Sequence, residues 1–238
     1  MKKSVDMTTA EAPTSGNKQL DEELLKKLAD HGEFKMIDEN TLEYAAYSFL
    51  KMSFVEVMVR ATKKARDAIV KKRIAAFKSK NQQEYVVAVR EDKRLVMNTL
   101  ALTTMMGCKS IGVTEEVWVN SGKLHYEDAR KATEMRIKET ELRKGFINQN
   151  VTIDEETTMK ALKFKIIKDF EFKEKVMLLQ ARIAPENLPE VREVEVYKIH
   201  DHLRAEFGVD IDELEIARQH YQIDPGCAQL REHVHRTS

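Results

Sequence analysis

The residues of this chain that could do chemistry fall into three groups: a late set of histidines around one cysteine, two short motifs that begin like ligand loops, and a run of lysines and arginines. His200, His202, His220, His233 and His235 lie with Cys227 in the last forty positions. A structural or catalytic metal needs three or four such side chains converging at about 2 Å. Residues two apart on a helix point about 200° apart, so neither His200 with His202 nor His233 with His235 forms a chelating pair. Glu232 and His235 match Glu-x-x-His, but a dinuclear bundle site uses that motif twice with two further Glu, and no second copy is present. No metal ligand and no cofactor are expected.

The remaining motifs read the same way. Gly107-Cys108-Lys109-Ser110 resembles the end of a phosphate-binding loop but has Cys between Gly and Lys and no Gly five residues earlier, so it is expected to stop a helix. Asp38-x-Asn40 and Asp210-x-Asp212 begin like calcium loops, yet lack the glycine at position six and the Glu at position twelve, where Phe49 and Tyr221 stand. Both are expected to cap helices. No nucleophile elbow or glycine-rich dinucleotide turn occurs, and no catalytic residue is assigned.

The basic run carries the sharper expectation. Between positions 60 and 80 stand Arg60, Lys63, Lys64, Arg66, Lys71, Lys72, Arg73, Lys78 and Lys80 against a single Asp67. On a helix, Arg60, Lys64, Lys71 and Lys78 fall within about 40° of one another and form a line of positive charge. Arg60, Lys63, Lys64, Lys71, Lys72 and Lys78 are therefore the candidate binding residues, for a protein partner or for a polyanion whose counterions they would displace. Only Phe77 and Tyr85 stand nearby for base stacking. The chain also carries its own complement: residues 186–238 hold 12 acidic and six basic side chains, so the run has internal acidic segments to pair with.

The elements that must position these residues are helices. Gly and Pro together supply only 12 of 238 residues, too few for the many tight turns of an all-β fold. A charged fraction of 34% suits helices with one buried and one wet face. The expected architecture is mainly α, with long antiparallel helices in the N-terminal part followed by a smaller set of shorter ones. A disordered tail is expected over 1–19, a helical domain with a long hairpin over 20–148, and a second helical domain over 151–238 whose last short helix covers 225–235. The stretch 45–59 is apolar nearly all round, with Leu42, Ala46, Phe49, Phe54, Val57 and Met58 as expected core. A break at 79–83 turns the chain into a second helix that Gly107 would end. Positions 112–126 admit a helix begun at Thr114 or a small β-hairpin over 116–126.

Function follows from what is absent as much as from what is present. A formal net charge of zero removes any global pull toward nucleic acid or membrane. Two isolated cysteines suit a reducing, cytoplasmic compartment, and no apolar run reaches the roughly 20 residues that span a bilayer. The expectation is a non-enzymatic scaffold that assembles with other protein subunits, copies of itself included, through charged helical faces. The alternative is RNA, DNA or anionic membrane binding by the helix over 60–80.

Overall fold

A computed structural model describes residues 15–147 and 149–224. In chain order these form α1 (Ser15–His31), β1 (Met36–Asp38), β2 (Thr41–Leu42), α2 (Tyr44–Lys78), α3 (Gln82–Ser110), α4 (Glu115–Glu127), α5 (Ala129–Lys144), α6 (Glu155–Gln180), α7 (Leu188–Phe207) and α8 (Ile211–His220). No glycine or proline interrupts the 35 residues of α2, which at 1.5 Å per residue gives a rod of about 52 Å. The reversal into the antiparallel α3 takes three residues. Lys80 adopts the left-handed conformation at φ 57, and the Asn81 amide donates to the Ala76 carbonyl at 2.9 Å. The chain thus forms the mainly α fold with a long early helix pair. Among the described residues, no helix is long and apolar enough to cross a membrane.

Contacts group the chain into two units: 1–62 with 98–139, and 63–97 with 140–238. Positions 63–97, the turn end of the long pair, group with the C-terminal helices. The expected tail over 1–19 lies outside the described residues up to position 14, and α1 begins at Ser15. The expected helix over 225–235 also lies outside them.

The first unit is built on apolar shape. Leu24, Leu28, Leu42, Ala46, Leu50, Phe54 and Met135 form its core, with Phe49 and Val57 partly buried against it. Trp118 lies over Tyr47, centroids 4.6 Å apart, and against Phe54 at 5.3 Å. Gly107 does not end a helix: α3 runs through it to Ser110, and the chain turns instead at Gly112, φ 73. The glycine is there for packing. A Cβ at position 107 would stand 2.2 Å from Phe54 Cε1, inside contact distance of a ring that is itself 1% exposed.

The hairpin is also placed differently. Residues 115–127 are helical, started by the Thr114 hydroxyl, which accepts from the Val117 amide, so the hairpin considered over 116–126 does not form. A two-stranded ladder forms instead at 36–42, pairing Met36 with Leu42 and Asp38 with Thr41. Asp38 takes the Asn40 amide at 2.8 Å in an Asx turn, where a helix cap was expected. β2 is too short to hold itself, and α4 completes it from the side. Ser121 Oγ accepts from the Leu42 amide at 2.8 Å, and His125 Nε2 bonds the Leu42 carbonyl at 2.9 Å. Two side chains one helical turn apart thus satisfy both backbone groups of a fully buried residue.

The second unit packs α6, α7 and α8 around Ala161, Leu162, Leu203, Val209 and Leu214. Asp154 caps α6 by accepting from the Thr157 amide, and the alternating stretch 162–166 is helical, as its length favours. Asp210 and Glu213 form a reciprocal capping box on α8, so Asp210-x-Asp212 is a helix start. A second cluster joins Ala76, Tyr85 and Val89 of the long hairpin to Val194 of α7.

Candidate functional site

The six candidate residues all lie on α2 and are all exposed. Their surroundings differ. Arg60 belongs to the first unit and bonds Glu23 at 2.8 Å and Glu56 at 2.6 Å. Lys72 stands 3.5 Å from Glu91. Lys63, Lys64, Lys71 and Lys78, all in the second unit, have no ion-pair partner among the described residues. Helical periodicity puts Lys64, Lys71 and Lys78 in one row about 10 Å apart, with Lys63 to one side. Between them the exposed residues are Ala65, Asp67, Ala68, Lys72 and Ala75, so no large apolar side chain shields the row.

The opposite side of the same segment carries a buried charge cluster. Arg73 is 1% exposed, and Asp92 and Asp201 are 0% exposed. The Arg73 guanidinium donates from Nε to Asp201 Oδ2 at 2.5 Å and from Nη2 to Oδ1 at 2.9 Å, with Asp92 Oδ2 at 3.5 Å from Nη1. Arg66 grips Asp92 from the other side, Nε to Oδ1 at 2.8 Å and Nη2 to Oδ2 at 3.2 Å. The Tyr85 hydroxyl donates to Asp201 at 2.8 Å and that of Tyr197 to Asp92 at 3.2 Å. The Tyr197 ring also covers the Arg73 guanidinium at 4.3 Å.

Burial works against each charge here, and the partners outweigh it. Burial pushes the Asp92 carboxyl up, but the Arg66 and Arg73 guanidiniums and the Tyr197 hydroxyl hold it below the usual carboxylate range. Burial likewise favours loss of the Arg73 proton, and the Asp201 carboxylate reverses that. The Tyr85 hydroxyl is driven up by burial and by Asp201 beside it, so it stays a donor. The arrangement binds α2, α3 and α7 together through charge-assisted bonds of fixed geometry.

The division of labour between side chains follows their chemistry. Within 63–80 the two inward cations are arginines and the outward ones are all lysines. A guanidinium can satisfy two buried carboxylates with a planar fork, whereas an ammonium is strongly hydrated and keeps to water. Sequence reading counted Arg66 and Arg73 with the basic run. The signal that separates them was present: they lie about 200° around the helix from the lysine row, on the side of Ile69 and Ala76. What no local pattern shows is that Asp92 and Asp201, 109 residues apart, meet on them.

Other reactive groups are occupied structurally. Cys108 is buried, and burial raises its thiol to about 11, far from a nucleophile's range. Gly107 to Ser110 form the last turn of α3 rather than a phosphate loop. His202 stacks edge-on against Phe164 at 4.5 Å and faces Phe77 at 5.3 Å, beside a groove of about 220 Å³ where Glu195 engages Lys175 and Lys198. Among the described residues, no three His, Cys, Asp or Glu side chains gather in a way that could hold a metal. Cys227, Glu232, His233 and His235 lie outside them.

Compared with known proteins, the chain matches no family model, no curated protein and no solved structure.

Proposed function

We propose that this chain is a non-enzymatic helical interaction protein that engages an acidic surface of another protein subunit through the outer lysines of α2. The observation that supports the reading is the contrast across one helix. The inward cations, Arg66 and Arg73, are matched by carboxylates, while outward Lys63, Lys64, Lys71 and Lys78 have no carboxylate within ion-pair distance among the described residues. A row of ammoniums set between alanines loses little hydration until a complementary surface arrives, so its attraction acts at range and declines with salt. Such a scaffold suits a reducing compartment, the cytoplasm, in keeping with the free, buried thiol of Cys108.

A second reading, binding of RNA, DNA or an anionic membrane, rests on the same row. It is the weaker because the neighbouring aromatic residues are turned inward: Tyr85 is 2% exposed and Phe77 packs on Tyr85 and His202. Neither is placed to stack on a base.

The test is a comparison of the full chain with the Lys64→Glu/Lys71→Glu/Lys78→Glu variant. Both are used for affinity purification from native extract at low and high salt, with and without nuclease, and titrated with polyglutamate, single-stranded RNA and phosphatidylserine vesicles. The proposal expects a nuclease-resistant, salt-sensitive protein partner and polyglutamate binding, both lost in the variant while its circular dichroism spectrum is unchanged. Equal capture by both proteins would sink it, and RNA or vesicle binding that disappears in the variant, without a protein partner, would establish the second reading instead.

A further inference from the structure

The first unit carries an unpartnered face of a different kind. On α3 the outward positions 98, 101, 102, 105, 106 and 109 are Asn98, Ala101, Leu102, Met105, Met106 and Lys109, all exposed. Leu102 is 56%, Met105 61% and Met106 44% exposed. Scattered apolar surface residues are ordinary, but three large ones within five residues of a single helical face form a contiguous patch. The inward side of the same turns is already used. Thr103 and Cys108 are buried, and Gly107 lies against Phe54. Nothing in the core therefore draws the outward residues in.

We infer that this stripe is a docking face for an acidic amphipathic helix of another protein. The alternation of three and four residues is the pattern by which one helix lies along another, and positions 98–109 rise about 16 Å, three turns of contact. Methionine suits such a face because its unbranched thioether side chain adapts to the partner's ridges. Charge selects the occupant. From Asn98 to Thr114 the chain contains no acidic residue, and the apolar centre is closed at one end by Lys109. A second copy laid parallel would bring Lys109 against its like, and laid antiparallel would set each ammonium against Asn98 with no carboxylate to meet. The chain's own segments outside the described residues fit no better. Positions 1–14 hold two Lys against Asp6 and Glu11, and 225–238 hold Arg231 and Arg236 against Glu232. A helix with an apolar stripe flanked by carboxylates answers each of these features.

The experiment uses the full chain labelled with ¹³C at the methionine methyls and two synthetic helices of about 18 residues, of identical Leu stripe, one flanked by Glu and the other by Lys. The Glu-flanked helix is expected to bind and to shift the Met105 and Met106 methyl resonances, assigned through single Met→Leu variants. Leu102→Gln/Met105→Gln should weaken binding about tenfold or more, without lowering the unfolding midpoint, since both side chains are exposed. Lys64→Glu/Lys71→Glu/Lys78→Glu should leave it unchanged, which separates this face from the lysine row. Equal binding of the Lys-flanked helix, or undiminished binding by Leu102→Gln/Met105→Gln, would overturn the inference. So would a concentration-dependent dimer in sedimentation that the same double variant abolishes, because the occupant would then be a second copy.

Discussion

The two units solve burial in opposite ways. In the first, the buried polar groups among the described residues are hydroxyls and one imidazole, such as Ser48, Ser53, Ser121 and His125, set in an aromatic and aliphatic core. In the second, fully buried charge stands at the junction of three helices: Arg73, Asp92 and Asp201. An apolar core depends on volume and tolerates little overlap. A charged one depends on every partner being present, because a guanidinium or carboxylate left alone in a dry site is far costlier than an unfilled methyl position. The units should therefore fail under different substitutions.

The largest effect expected is from Arg73→Met, which takes the two-pronged guanidinium from buried Asp201, leaves it only that of Arg204 at 3.5 Å, and should lower stability by about 3–5 kcal/mol. Arg73→Met/Asp201→Leu should recover much of that, since it also removes the under-compensated carboxylate, although Tyr85 and Arg204 then lose a partner. Urea unfolding of the three proteins measures both; a loss under about 1 kcal/mol for the single variant would erase the distinction between the units.

Gly107→Ala comes next and probes the first unit by volume. The added methyl meets a fixed Phe54 ring, a cost of about 1–3 kcal/mol, partly offset by the roughly 1 kcal/mol by which alanine exceeds glycine in helices. Adding Phe54→Leu to Gly107→Ala should cost less than the sum of the two single changes, and additivity would show that the contact does not limit packing. Ser121→Ala deprives the buried Leu42 amide of its acceptor and should lower the thermal midpoint through a loss of about 1–2 kcal/mol.

The smallest effect expected is a pH dependence confined to the second unit. Burial, with Arg204 beside it, lowers the proton affinity of His200, while Asp201 opposes this; Lys165 and Arg73 also face the ring, and Tyr197 lies edge-on to it. His202 is shifted the same way by burial and Lys168. Below the ordinary histidine value of 6.5, the unfolded chain binds protons that the native one resists, so stability should fall as pH drops from neutrality. Denaturant midpoints measured from pH 7 to about 5 should slope less in His200→Gln/His202→Gln. An unchanged slope would place the acid sensitivity elsewhere.

Much of this molecule was legible in the residues. The scarcity of glycine and proline, the apolar stretch after Leu42 and the cap at Asp210 sufficed for most of the helices, because each depends on neighbours within a few positions, whereas Thr114 left a hairpin open where the structure has a helix. Where local signals conflicted, tertiary partners decided. Asp38-x-Asn40 read as a helix entry, and the residues that follow, Thr41 and Leu42, form a strand instead, the backbone bonds of Leu42 being completed by Ser121 and His125, some 80 residues on. Gly107 read as a stop and proved to be a space left for Phe54.

The sequence by itself determined the helical character, the amphipathic spacing and the presence of a dense basic segment, all properties of residues close along the chain. Only the tertiary structure decided which of those cations face inward as arginines clamped by Asp92 and Asp201, which remain outside as unmatched lysines, and that Leu102, Met105 and Met106 find no core to enter. The physical reason is distance along the chain. A helix is closed by bonds four residues apart, whereas burial and ion pairing depend on segments a hundred residues apart that no local pattern brings into register.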